Sequence, residues 1–135
     1  MTRPTYEDVL DGLHDCFETV EGIAAILPYE PTSVHTFPLL YSMFDSMEIT
    51  RTGQVQGRTY RTLHRLVFRW QDNEQALLEM IPFVDAIPDA VDADKHLGGA
   101  IQSGLAVIDE CEAMFVEIGG TECLALDFYS TVVVK

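Results

Sequence analysis

The residues best able to do chemistry are four histidines, His14, His35, His64 and His96, and three cysteines, Cys16, Cys111 and Cys123. Zinc sites draw their ligands from closely spaced pairs. His14-x-Cys16 is the only close pair, and on a helix residues two apart point away from each other. The stretch DADKHLGGAI, Asp92 to Ile101, places a histidine, acids and a Gly-Gly pair together. A phosphate-cradling loop would follow a strand, open a helix and usually carry a lysine after its glycines. Here a predicted helix comes before and a predicted strand after, and Lys95 precedes the glycines. Gly98-Gly99 therefore reads as the chain reversal from helix to sheet, with His96 an exposed turn residue. Asp85, Asp89, Asp92 and Asp94 lack the calcium-loop spacing and its closing glutamate. No nucleophile elbow, P-loop or dinucleotide fingerprint occurs. The expectation is no catalytic residue, no metal and no cofactor.

The elements that position these residues are legible from periodicity. Tyr6, Val9, Leu10, Leu13, Phe17 and Val20 recur at three- and four-residue steps, which predicts a helix over 5–20. Thr5 is its N-cap, Glu7 and Asp8 suit the positive end of its dipole, and Gly22 is a stop. A short strand over 23–27, a proline-rich loop, a strand over 38–50 and a flexible connection over 51–57 follow. Residues 58–71 alternate. Tyr60, Thr62, His64, Leu66, Phe68 and Trp70 share one face, expected to be core, with His64 a packed and hydrogen-bonded histidine. Arg61, Leu63, Arg65, Val67 and Arg69 share the other, which two aliphatic residues mark as partly covered by another strand, loop or subunit. Asp72 or Asn73 caps a second helix to about Ala90, with Leu77, Leu78, Ile81, Val84 and Ile87 inward and a kink or break at Pro82 and Pro88.

The C-terminal third predicts a hairpin of strands 105–118 and 121–134 about Gly119-Gly120. That turn sets Glu112 opposite Asp127 and Cys111 opposite Phe128, so no hairpin disulfide forms. One face carries Cys111, Ala113, Phe115, Leu124, Leu126 and Phe128 and is expected to be core. The other carries Glu110, Glu112 and Asp127, whose mutual repulsion calls for a cation. Arg61, Arg65 and Arg69 are the candidates, in the same sheet or on a neighbouring copy. The whole reads as a single α+β domain: a mostly antiparallel sheet, two helices packed on one face, and a long C-terminal β-hairpin.

Charge narrows the function classes. The chain of 135 residues has a net charge of −14 and should repel nucleic-acid phosphates. Five of its eight Lys and Arg residues (Arg51, Arg58, Arg61, Arg65, Arg69) fall between 51 and 69, while Lys135 is the only one after His96. Such segregation suits complementary surfaces. No apolar run reaches the roughly 18 residues of a membrane helix. The acids in MTRPTYEDVLDGL argue against an export signal, and three cysteines without a CxxC fit reduced, mostly buried thiols.

Several segments, in order, carry a resemblance. Tyr29-Glu30-Pro31, Phe37-Pro38-Leu39-Leu40-Tyr41, the strand ending Phe68-Arg69-Trp70, the turn Asp94-Lys95-His96-Leu97-Gly98-Gly99 and the hairpin Glu117-Ile118-Gly119-Gly120 together make the chain similar to the tail terminator proteins of long-tailed bacteriophages. The resemblance implies a structural virion protein that assembles as a hexameric ring on the head-proximal end of the tail tube. Such a ring stops tube polymerisation and docks head-completion or stopper proteins, and DNA passes through its channel. Arg61, Arg65, Arg69, Glu110, Glu112 and Asp127 are the expected subunit-interface residues. Tyr29, His35, Arg51, Gln54 and Gln56, on polar loops, are the expected partner contacts. On this reading Arg65→Glu weakens assembly and leaves the monomer folded. Two other classes remain open: another neck component, such as a head–tail joining protein, or a small cytoplasmic enzyme or ligand-binding domain with a pocket around His64 and the arginine stripe.

Overall fold

The computed structural model describes residues 3–53, 55–70, 73–101 and 104–135. Helix α1 (Tyr6–Glu18) begins at Thr5, whose hydroxyl accepts from the Asp8 amide while the Asp8 carboxylate accepts from the Thr5 amide. This reciprocal cap satisfies two of the otherwise orphaned N-terminal donors. The helix buries Val9, Leu13, Cys16 and Phe17. Strands β1 (Ala25–Leu27), β2 (Leu39–Thr52) and β3 (Val55–Arg69) follow, then α2 (Asn73–Asp92), a short 3₁₀ turn at Leu97–Gly99, and strands β4 (Leu105–Ile118) and β5 (Thr121–Val134).

The five strands form one sheet in the order β1-β2-β3-β5-β4. Only the short β1–β2 pair is parallel. The C-terminal hairpin has the register its Gly-Gly turn dictates: Ile118 faces Thr121, Glu112 faces Asp127 and Cys111 faces Phe128. Gly119 and Gly120 both take positive φ, 57° and 83°, the conformation that lets a two-residue turn follow the twist of its strands.

Both helices lie on one face of the sheet. The main core there joins Leu13 and Phe17 of α1, Phe83 and Ile87 of α2, and Leu66, Phe68 and Phe128 of the strands. The other face holds a smaller cluster around Tyr41, Val67, Ile118 and Cys123, closed by Val34 and Phe37 of the proline-rich loop. The cover expected over Val67 is thus supplied by a loop of the same chain, while Leu63 is half-buried outside that cluster.

Three expectations are corrected. Residues 51–57 are not a flexible connection: β2 and β3 run on to a tight hairpin in which Thr52 faces Val55 and Arg51 faces Gln56. The β2–β3 arm extends past the core, so nothing forces an alternation of buried residues over 51–57, and the strand character of that segment is silent in the sequence. The second correction concerns α2. Its inward residues are Ala76, Met80, Phe83, Ile87 and Val91, while Leu77, Leu78 and Ile81 are 49%, 59% and 52% exposed. The helix is also not broken at Pro82 or Pro88, both of which lie inside it. Third, β4 is an outer strand that α2 covers only in part. Cys111, Ala113 and Phe115, expected in the core, are exposed.

Gly12 of α1 sits against the corner at Leu97. A Cβ on Gly12 would lie 2.8 Å from the Leu97 Cβ. Gly12→Val is therefore expected to push α1 off the corner and destabilise the fold by about 1–3 kcal/mol, read as a lower urea midpoint at unchanged m-value.

Candidate functional site

One of the four histidines lies at the centre of the sheet. His64, on the helix-facing side of β3, is fully buried. Its Nδ1 is 2.7 Å from the Ser42 Oγ and its Nε2 2.8 Å from the Ser130 Oγ. The His14 Nε2 of α1 lies 2.8 Å from the same Ser42 Oγ. His14, Ser42, His64 and Ser130 form one polar chain, and each bond in it can be made with both imidazoles neutral. Burial, with His14 adding a smaller unfavourable charge effect, pushes the His64 pKa down to about 3. Burial also lowers the His14 pKa against the opposing pull of Asp11 and Asp15. The arrangement fits α1 onto the sheet and presents no imidazole edge of His64 to a ligand. Arg65, its neighbour in sequence, projects from the opposite face, so the two cannot line one pocket.

The DADKHLGGAI stretch is a corner, as its position between helix and strand requires. The Asp94 Oδ1 accepts from the Gly98 amide at 2.9 Å, and the exposed His96 holds its Nδ1 3.0 Å from the Gly104 carbonyl oxygen. Gly98 and Gly99 take φ of 66° and 92°. Cys16 is buried beside Asp94, and burial together with that carboxylate raises its thiol pKa to about 11. Among the described residues no group of three His, Cys, Asp or Glu side chains is placed to hold a metal ion.

The arginine stripe lies on the other sheet face. β3 and β5 are adjacent, and Arg65 faces Asp127 directly. The guanidinium grips the carboxylate with both forks, Nε to Oδ1 at 2.8 Å and Nη2 to Oδ2 at 2.9 Å. Asp127 is only 1% exposed. The bonds to Asp127 raise the Arg65 pKa further above its already high value. The Tyr41 hydroxyl and the Met114 sulfur complete the surroundings of the guanidinium. This corrects the expectation for Arg65→Glu. The pair is a bond within one subunit, and a glutamate there would set two carboxylates together beneath the surface.

Arg61 makes a looser, half-exposed network. Its Nη2 is 2.8 Å from the Glu110 Oε2, its Nη1 3.2 Å from the Asp109 Oδ2, and its Nε 3.6 Å from the Asp45 Oδ2. Asp109 is the extra residue of a bulge between Ile108 and Glu110. The cation sought for the acidic strand thus comes from the same sheet for Asp127 and Glu110. Arg69 and Glu112 are different: both are exposed, and among the described residues neither makes an ion pair. Arg69 lies over the Phe37 ring, 5.3 Å from its centroid.

Of the expected partner contacts, Tyr29, His35 and Arg51 are exposed and Gln56 is half-buried. Tyr29 and His35 belong to the loop anchored by Val34, and Arg51 and Gln56 face each other on the β2–β3 arm. Gln54 lies outside the described residues.

Two surfaces escaped the sequence reading. One is the arm itself, where Phe44, Met47 and Ile49 of β2 stand exposed on one face. The other is the flank of α2 carrying Leu77 and Ile81, together with Phe115 of β4. A helical wheel showing two apolar flanks on α2 was the available signal for the second. The chain matches no protein-family model and no curated protein.

Proposed function

We propose that this chain is a structural subunit of a phage virion: a tail terminator that forms a hexameric ring, caps the head-proximal end of the tail tube, halts its polymerisation and offers a docking surface to head-completion proteins. The observation that carries this reading is a sheet with apolar side chains exposed at both of its sides, on the β2–β3 arm and around Phe115. Exposed apolar groups at two distant places suit a subunit with neighbours on either hand. The order of the resembling segments supports the tail-terminator assignment within that class. The charge supports it too, because a ring of subunits of net charge −14 would not retain DNA in its channel.

The test is to add the purified chain to isolated, still-growing tail tubes and image the ends. Rings at one end and arrested elongation are expected. Binding at the portal with no effect on tubes would instead support a head–tail joining role. Absence of binding to either would overturn the virion reading.

A further inference from the structure

The geometry points to one specific contact between copies: the β2–β3 arm of one subunit lies on the apolar flank formed by α2 and β4 of the next. The arm presents Phe44, Met47 and Ile49 on the face shared with Tyr60, as the register Phe44–Thr62, Met47–Tyr60 and Ile49–Arg58 requires. Among the described residues, no strand covers the outer edge of β2 beyond Tyr41, where β1 stops. At the opposite edge of the sheet, the Trp70 ring meets the Phe115 ring edge-on at 5.0 Å, and α2 packs against β4. The end of α1 borders α2 along Pro82, Ala86 and Ala90. At about 100° per residue, Leu77 and Ile81 therefore face away from α1.

Charge says what covers this flank. Neither α2 nor β4 contains a lysine or arginine. Acids rim the patch: Glu74 and Asp85 lie beside Leu77 and Ile81, and Glu117 pairs with Glu122 on the Phe115 face. The arm is the opposite. Residues 47–58 hold Arg51 and Arg58 against Glu48, and Arg3 joins them through a 3.3 Å bond to the Gln56 carbonyl oxygen. A basic-rimmed apolar row in a chain otherwise so acidic fits an acidic-rimmed apolar patch of the same chain. Within one subunit they cannot meet, because β3 and β5 separate β2 from β4 by three strand spacings, about 14 Å. Two different surfaces in contact make a head-to-tail interface, which closes into a ring or runs on as a filament. The inference deepens the ring reading and rests on it for closure only.

Sedimentation of the full chain tests it. Ile49→Asp on the arm and Leu77→Asp on the flank change exposed residues, so circular dichroism should stay that of wild type. Each alone should weaken self-association by at least about 30-fold. An equimolar mixture of the two variants keeps one intact arm and one intact flank, and should form dimers and nothing larger. Raised salt should weaken wild-type association. A wild-type chain that stays monomeric at its solubility limit would overturn the proposal. So would a Leu77→Asp chain that associates like wild type, the sign of an arm-to-arm contact. Association that follows this pattern without binding to tail tubes would leave the contact standing and remove only the tail-cap function.

Discussion

Arg65→Met is expected to lower the unfolding free energy of the chain by about 3–5 kcal/mol, a large part of the 5–15 kcal/mol typical of one domain. The loss comes from the group left behind. Asp127 is 1% exposed and takes both of its charged hydrogen bonds from Arg65. Without them a carboxylate is held away from water with no cation, and the cost of that desolvation exceeds any gain from removing the arginine. The second step of the experiment separates this cause from lost packing. Arg65→Met combined with Asp127→Leu removes both charges and keeps apolar bulk in the same space, and should recover most of the loss. Denaturant unfolding of the single and double variants gives the comparison. Equal losses in both would refute the buried-charge account. Arg65→Glu should be worse than Arg65→Met, because it adds a second buried carboxylate. Loss of assembly in Arg65→Glu would therefore report unfolding, and the exposed Ile49 and Leu77 are the better probes of subunit contact.

Acidification should destabilise the fold through His64. Its folded-state pKa of about 3 lies well below the ordinary 6.5. Between those values the unfolded chain binds a proton that the folded chain refuses, so stability is complete above pH 6.5 and falls as pH drops towards 3. At about 1.4 kcal/mol per pH unit, the loss reaches about 2 kcal/mol by pH 5. His14, also lowered, contributes with the same sign. His64→Gln can still bond to Ser42 and Ser130 but cannot titrate. Urea unfolding between pH 7 and pH 5 should show a steeper fall for wild type than for this variant. Identical slopes would show that His64 does not stay neutral in the fold.

Those two predictions depend on parts of the molecule that were legible to different degrees. His64 was placed correctly from sequence, because alternation along 58–71 put it among Leu66, Phe68 and Tyr60. Its partners were not, since Ser42 and Ser130 reach it only when β2 and β5 flank β3. From sequence, Asp127 needs a cation and Arg65 is one of three candidates for it. That they satisfy each other follows from the strand order, which neither strand encodes alone.

The sequence by itself determined what is local. A stripe at three- and four-residue steps and a Thr5 cap define α1. Two glycines fix the β4–β5 turn, and its register then follows residue by residue from Ile118 to Glu110, where the bulge at Asp109 shifts it. The reversal at Gly98-Gly99 is set by the backbone freedom of glycine. Tertiary structure decided which surfaces are covered. Helix α2 has two apolar flanks, and only its seat against α1 and the sheet buries Phe83 and Ile87 rather than Leu77 and Ile81. β4 has an apolar row, and only the limited reach of α2 leaves Phe115 exposed. The arm of β2 and β3 has an apolar row, and only the tertiary structure leaves its Met47 and Ile49 exposed. Periodicity records that a face is apolar. Whether the same chain or another copy covers it depends on contacts between residues far apart in sequence.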